Sequence, residues 1–359
     1  MSESKQRLDW VDTAKGMSIL LVVMMHSAIG VGEVTNQVSY LHWIIAWASP
    51  FRMPEFFLIS GLFLSQVIDR DWRRYADRRV VHYLYFYAIW AVIHLLFKEA
   101  VGAGHPLTAL THILWAIIEP YGVLWFIFML AAFSAAAKLL HDARAPHWLV
   151  LIGAALLQLV HVQTGSYLVD QFAEHFVYFY AGYACAPFVF RLVAWAQQHV
   201  VQAVAGLAAW AVVETLLVFS PGYRVTPMTI HMGLSTAPGI HLALALAGSV
   251  ALCVVAGLVS KLPFMDWLRW LGARSIVVYL AFTLPMAASR IILVRLGVTN
   301  ADLISTAVMA SAVIGPLLLF WLIERTGRGR FLFERPAWAR LPGTPGARMA
   351  PAPARTPAE

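Results

Sequence analysis

The sequence predicts an all-α polytopic integral membrane protein with about ten transmembrane helices. Of its 359 residues, 60% are hydrophobic and only 13% are charged, whereas a soluble domain carries roughly a quarter charged residues. The apolar residues fall into runs of the length that crosses a bilayer, about 20 residues. The basic residues cluster in alternate loops between these runs, which is the pattern typical of membrane topology.

The apolar runs define the predicted helices in chain order. They cover residues 14–32, 43–67, 80–97, 121–140, 147–162, 174–193, 200–219, 238–260, 271–294 and 303–323. The second run is interrupted by Pro50 and Pro54, so it is predicted to be bent or to begin as a broken helix. The fifth run is short.

The distribution of basic residues predicts that both termini lie in the cytoplasm. Most basic residues lie in the alternate loops and termini that would face the cytoplasm. They are Lys5, Arg7, the five arginines from Arg70 to Arg79, Lys138, Arg144, Arg191, Lys261, Arg269 and seven arginines of the C-terminal region. Only Arg290 and Arg295 run against the pattern. The net charge of +7 therefore suits topology better than nucleic-acid binding, and no nucleic-acid partner is predicted.

One transmembrane domain is predicted over residues 1–330. Residues 331–359 are rich in Pro, Ala, Arg and Gly, a composition typical of a disordered segment. They are predicted to form a disordered cytoplasmic tail.

His26 is the most informative single residue, because an imidazole inside a membrane span indicates a functional site. It follows Lys15 by eleven positions, which brings both side chains to within about 20° of one helical face, roughly 16 Å apart along the axis. Asp12 lies near the same stripe. One face of the first helix is therefore predicted to carry an acid, an amine and an imidazole.

The second run carries Arg52 and Glu55, which are neighbours at helical spacing. An ion pair between them would lower the cost of burying either charge. The pair could fix the second span against its neighbours or take part in function, and the sequence favours neither. Ser60 and Gly61 follow, and small residues of this kind let two helices approach closely.

The arginines at 73, 74, 78 and 79 form the core of the cluster before the third span. Their simplest interpretation is topology and attraction to anionic membrane lipids. Guanidinium groups also bind phosphates through paired hydrogen bonds, so a phosphate site is the sharper alternative. No histidine or carboxylate stands at metal-ligand spacing from His26, and no metal is predicted.

Several of these motifs together resemble the membrane-bound acyltransferase family 3. Members of that family carry a basic residue and a histidine with ten residues between them on the first helix, as Lys15 and His26 stand here. The segment from Phe51 to Gly61 resembles the second-helix signature of the family. The run from Arg73 to Arg79 followed by Tyr83, and the segment containing Trp125, resemble later and weaker marks. Many members also have a histidine where this chain has Ala281 and Phe282.

The resemblance implies an O-acyltransferase of the cell inner membrane that moves an acyl group, commonly acetyl, from acyl-CoA to a glycan or lipid-linked sugar. Acyl-CoA is then a co-substrate, and no tightly bound cofactor is expected. The implied roles are general base for His26, oxyanion stabilisation for Arg52, and donor binding for Asp12, Lys15, Arg73, Arg74, Arg78 and Arg79. Glu55, Ser60, Tyr83 and Trp125 are supporting residues.

Two other functions remain open from the sequence. A transporter or flippase for a lipid-linked saccharide would also need intramembrane ionisable residues, although no internal repeat is evident. The other is a membrane scaffold whose cytoplasmic arginines bind lipid or a partner.

Overall fold

The computed structural model describes residues 8–102, 111–112 and 114–347, and it is predominantly helical. In chain order the helices are α1 (Asp9–Thr35), α2 (Tyr40–Ala48), α3 (Arg52–Gly61), α4 (Trp72–Ala76), α5 (His82–Gly102), α6 (Trp125–Asp142), α7 (His147–Val160), α8 (Tyr167–Ala184), α9 (Ala186–Gln198), α10 (Val200–Val218), α11 (Pro238–Val259), α12 (Asp266–Gly272), α13 (Ser275–Ala281), α14 (Thr283–Arg295) and α15 (Ala301–Thr326). A π-helical turn, Asp77–Val81, joins α4 to α5. A two-stranded hairpin pairs Arg224–Val225 with Ile230–His231 in antiparallel register.

The prediction of an all-α membrane protein is confirmed. Within the described residues, six helices are long and apolar enough to cross a membrane. Two further pairs, α8 with α9 and α13 with α14, meet the same test together but are bent by 69° and 54°. The remaining two predicted runs, 43–67 and 147–162, correspond to the short helices α2, α3 and α7. The count of ten spans and the cytoplasmic termini stay predictions, and Lys5 and Arg7 lie outside the described residues.

The predicted break in the second run is confirmed and has a local cause. Ser39 and His42 form a capping box at the start of α2, in which the Ser39 N–H donates to His42 Nδ1 at 3.0 Å. Pro50 has no N–H to continue the helix, and the chain turns before α3 begins at Arg52. The break places Arg52 at a helix N-terminus inside an apolar segment.

The chain divides into two compact units. Unit 1 comprises Met1–Ser65 and Ala145–Trp321, and unit 2 comprises Gln66–Arg144 and Leu322–Glu359. In unit 1 the core lies where α1, α3, α9 and α11 meet. The single domain predicted over residues 1–330 stays a prediction.

Part of the predicted disordered tail is folded into unit 2. Two short 3₁₀ turns, Arg330–Leu332 and Ala337–Ala339, lie at and within residues 331–347. The indole of Trp90 donates to the Leu332 carbonyl at 2.9 Å, and the Tyr85 hydroxyl donates to the Phe331 carbonyl at 3.0 Å. The aromatic residues of α5 hold this segment, which its Pro and Ala content did not indicate. Residues 348–359 lie outside the described part.

Candidate functional site

Helix α1 carries the predicted stripe of polar residues. It is continuous from Asp9 to Thr35, so Lys15 and His26 share a face with an axial separation of about 16 Å. Both side chains are partly buried. The helix therefore spaces an amine and an imidazole along one side of unit 1.

The beginning of α1 is fixed by close contact with α12. A Cβ at Gly16 would overlap the Leu268 carbonyl, and a Cβ at Gly272 would overlap the Asp12 carbonyl. Arg269 adds ion pairs to Asp9, at 2.9 Å, and to Asp266 of its own helix, at 3.1 Å. Because both glycines are needed for this approach, the polar stripe starts from a rigid position.

Asp12 and Lys15 interact with each other at this end of α1. The Lys15 ammonium lies 3.7 Å from Asp12 Oδ1. The Asp12 side chain is 7% exposed and that of Lys15 is 36% exposed. The carboxylate is therefore positioned to hold the amine, while the amine keeps access to its surroundings.

His26 on α1 has neighbours from α3 and from the break between α13 and α14. Its ring packs against Phe282, with centroids 5.3 Å apart, and the charged group that acts on it electrostatically is Arg52. Within the described residues, no protein group hydrogen-bonds either ring nitrogen of His26. Phe282 is thus an apolar neighbour of the imidazole.

Arg52 is the first residue of α3 and is partly buried. Its Nε is buried with no hydrogen-bond partner among the described residues. A guanidinium so placed keeps donors available for an anion or for a developing negative charge beside His26.

Glu55 interacts with α1 instead of with Arg52. It is fully buried, and its Oε2 accepts a hydrogen bond from the Ser18 hydroxyl. Between these two described residues, the ion pair that their spacing allows does not form, and Arg52 Nε and Glu55 Oε1 have no hydrogen-bond partner. The reason is geometric. Ser18 and His26 lie two turns apart on α1, about 12 Å along its axis. Glu55 bonds to Ser18, whereas Arg52 acts electrostatically on His26.

The close approach predicted at Ser60 and Gly61 is confirmed. A Cβ at Gly61 would overlap the Phe179 carbonyl of α8, and a Cβ at Gly182 would overlap the Leu58 carbonyl of α3. The Ser60 hydroxyl donates to the Phe56 carbonyl at 2.8 Å within its own helix. Ser60 therefore takes part in packing, and the contact holds the helix that carries Arg52 and Glu55.

The arginine that ran against the charge pattern is explained by a contact with α1. Nη1 of Arg290, on α14, donates to the Gly30 carbonyl at 2.7 Å and lies 3.8 Å from Glu33. Gly30 is one turn beyond His26. Sequence reasoning read Arg290 only as a topology marker, whereas the fold uses it to fix α1 next to His26.

The four loop arginines lie in unit 2, in a short region where the helix type changes. Asp71 caps α4 by accepting from the Arg74 backbone N–H at 3.1 Å, and its carboxylate lies 3.5 Å from the Arg74 side chain. The side chains of Arg73, Arg74 and Arg78 are exposed, and Arg79 donates to the Tyr83 hydroxyl at 3.5 Å. The region is an accessible basic surface with one internally anchored arginine.

Asp77 and Arg335 form a buried ion pair that sequence reasoning missed. The Arg335 guanidinium donates to the Asp77 side chain at 2.6 Å and to its backbone carbonyl at 2.7 Å. The other carboxylate oxygen accepts from the Leu341 N–H at 2.7 Å. Their separation of 258 positions leaves no local signal for the pairing. The pair anchors the C-terminal segment to the π-helical turn that carries Arg78 and Arg79.

Trp125, the remaining supporting residue, begins α6 in unit 2, and its ring lies 6.5 Å from that of Phe126. In the part of the chain that the structure describes, no group of three or more His, Cys, Asp or Glu residues is arranged to hold a metal ion.

Comparisons with known proteins identify the family of the chain. A family model described as an acyltransferase domain matches residues 8–325. The inner membrane protein YcfT of Escherichia coli (strain K12) is 35% identical over 86 residues, which are 21% of this chain and 24% of that protein. The match thus spans about a quarter of that relative's length. No solved structure matches the chain.

Proposed function

The chain belongs to this acyltransferase family, and from that premise we propose that it moves an acyl group, acetyl in the first instance, from acyl-CoA to a hydroxyl of a cell-envelope glycan or lipid-linked sugar. The protein is an acyltransferase with several membrane-spanning helices. The name of its relative, an inner membrane protein, supports the bacterial inner membrane as its location.

The observation that carries the proposal is the environment of His26. The imidazole is partly buried in a membrane helix, and no described protein group bonds its nitrogens. A neutral imidazole so placed is a suitable general base at neutral pH. It accepts the proton of the acceptor hydroxyl as the hydroxyl oxygen attacks the thioester carbonyl carbon.

Arg52 provides the electrostatic part of the same step. As the C–O bond forms, negative charge develops on the carbonyl oxygen, and a guanidinium with free donors stabilises it. The C–S bond then breaks, and the CoA thiolate takes the proton from His26. Glu55 and Ser18 position α3 on α1, and Phe282 and Arg290 position the neighbourhood of the imidazole.

Donor binding is assigned to the basic residues. CoA carries several phosphate groups, which guanidinium and ammonium groups bind. On unit 1, Lys15 has this role, oriented by Asp12. As a separate proposal for unit 2, Arg73, Arg74, Arg78 and Arg79 bind phosphate, and Tyr83 positions Arg79.

The proposed function is tested by deleting the gene and analysing envelope glycans by mass spectrometry. We expect the deletion strain to lose a mass increment of one acyl group, 42 units if the group is acetyl, as required by the formula of an acetyl ester. The increment should return when the wild-type gene is supplied on a plasmid. Unchanged ester content in every envelope glycan of the deletion strain would refute the proposal.

Changing Arg78 and Arg79 together to alanine should raise the KM for acyl-CoA by about 10-fold or more, because each charge-assisted hydrogen bond to phosphate contributes roughly 1.5–3 kcal/mol. The kcat should change little, since losing contacts that hold the donor equally in the ground state and the transition state raises KM alone. Initial rates at varied acyl-CoA measure both constants.

The matched control changes Arg328 and Arg330, which are exposed arginines of the same unit. It removes the same total charge. If the control raised the KM as much as the loop variant, the loop would contribute only general charge and no phosphate site.

A further inference from the structure

Two triads of aromatic rings lie along α2 and α10 in unit 1. In the outer triad, Trp43 lies 6.2 Å from Phe219 and 6.4 Å from Tyr223, and the last two rings are 5.6 Å apart. Trp43 and Tyr223 are 46% and 44% exposed. The outer triad therefore presents ring faces at the surface, close to the hairpin.

The inner triad continues the row one helical turn further along α2. Trp47 lies 5.3 Å from Trp210 and 5.5 Å from Phe51, and Phe51 lies 5.5 Å from Trp210. Trp43 and Trp47 are four positions apart and share a face of α2. The row ends at Phe51, the residue before Arg52. We call these six rings the aromatic row.

The polar atoms beside the row have no protein partner. Glu214 is fully buried, and neither of its carboxylate oxygens has a hydrogen-bond partner among the described residues. The same holds for the indole nitrogen of Trp210, one turn away on the same face of α10. The Trp47 indole, by contrast, donates to the Thr215 hydroxyl at 3.0 Å.

Such an arrangement is costly without a ligand. Most of α10 is exposed, and only Ala203, Glu214 and Val218 are buried. A buried carboxylate without a hydrogen bond destabilises a protein, and an apolar side chain of similar size would not. Unpartnered atoms alone do not mark a site, because Gln158 is also buried without partners. On α10, however, one donor and two acceptors lie on one helix face beside a row of partly exposed rings. Together these features favour a polar group that binds there.

The chemistry of these atoms limits the ligand. An ammonium group would satisfy the carboxylate but has no acceptor for the indole N–H. A phosphate would accept from the indole but would be repelled by the carboxylate, and an acyl chain would satisfy neither. Hydroxyl groups both donate and accept, and the C–H faces of a sugar ring pack on aromatic rings.

We propose that the aromatic row, with Glu214 and the indole N–H of Trp210, binds the saccharide part of the acceptor and leads it toward Arg52 and His26. This inference rests on the proposed function, because it identifies where the acceptor of that reaction binds. The rings supply apolar contact, and Glu214 receives hydrogen bonds from sugar hydroxyls.

The experiment compares Glu214→Leu with Gln158→Leu in the deletion strain. Gln158, on α7, is also buried with both amide atoms unpartnered, so it is a matched control away from the row. Three quantities are measured on the full-length protein: acyl ester on envelope glycans, binding of radiolabelled acetyl-CoA to membranes, and the apparent Tm of the purified protein.

For Glu214→Leu we expect the glycan ester content to fall by roughly 10- to 100-fold, the loss expected for a hydrogen bond to a charged group. Acetyl-CoA binding should remain within about twofold of wild type. Loss of one direct interaction with the donor would change its Kd by about tenfold. The apparent Tm should not fall, because an unpaired buried charge has been removed. Trp210→Phe, which keeps a ring and loses only the N–H, should lower the ester content by a smaller factor. Gln158→Leu should keep the wild-type ester content.

Wild-type ester content in Glu214→Leu would overturn the inference, and so would an equal loss in Gln158→Leu. Failure of the proposed function gives a different result, in which the deletion strain and its parent have the same ester content whatever the variant.

Discussion

Replacing His26 by alanine is expected to abolish acyl transfer, lowering kcat by about 10²- to 10⁴-fold, the range attributed to general-base catalysis. The ring is only partly buried and is hydrogen-bonded by no protein group in the described part of the chain, so its removal should disturb the fold little. Its contact with Phe282 at 5.3 Å is the packing interaction that is lost. The rate of acyl transfer from radiolabelled acetyl-CoA to envelope glycan measures the effect.

Two further variants separate the chemistry from the packing. His26→Gln keeps a polar side chain of similar length that cannot accept a proton at neutral pH, so it should be as inactive as alanine. His161→Asn changes another histidine, exposed at a helix end in the left-handed region that Asn also adopts, and should be fully active. Wild-type transfer in His26→Ala would refute the role of general base.

Replacing Arg335 by alanine should lower the free energy of unfolding by about 3–5 kcal/mol, which is the usual cost of removing one partner of a buried ion pair. Asp77 is 3% exposed, so its charge would remain buried with fewer hydrogen bonds. The backbone N–H of Leu341 would be the remaining hydrogen-bond donor to the Asp77 carboxylate. The apparent Tm and the yield of folded protein in detergent or nanodiscs measure the loss.

The double variant Asp77→Asn with Arg335→Met should recover much of this stability, because it leaves no charge without a partner. Arg328→Ala, an exposed arginine of the same unit, should leave the Tm unchanged. A Tm for Arg335→Ala equal to that of Arg328→Ala would contradict the importance of the pair. The C-terminal segment would then be held mainly by its contacts with Tyr85 and Trp90.

The segment from 331 to 347 shows why composition alone misjudged the end of the chain. Its Pro, Ala and Arg content is typical of disorder, but two backbone carbonyls and one guanidinium find partners on unit 2. These partners are more than 240 positions away in the sequence, as Trp90 and Leu332 are at 242. A pattern read over a short window contains no information on such contacts.

Arg52 and Glu55 illustrate the same limit at the candidate site. Their spacing predicts that they are neighbours on a helix, and it predicts nothing about which neighbouring helix each one meets. Ser18 provides the partner of Glu55, and Arg52 acts on His26. Only the packing of α3 on α1, fixed by Gly61 and Gly182 against α8, decides between these partners.

The sequence by itself determined the class of the protein, the continuity of α1, the face shared by Lys15 and His26, and the break before Arg52. These features follow from hydropathy, helical periodicity and the missing N–H of proline, which act over a few residues. The tertiary structure alone decided the partners of Glu55, Arg290 and Asp77, the position of Phe282 on the His26 ring, and the aromatic row beside Glu214. Those depend on which helices approach each other, and the approach is set by side-chain volume and by backbone contact at glycine, summed over residues distant in the chain.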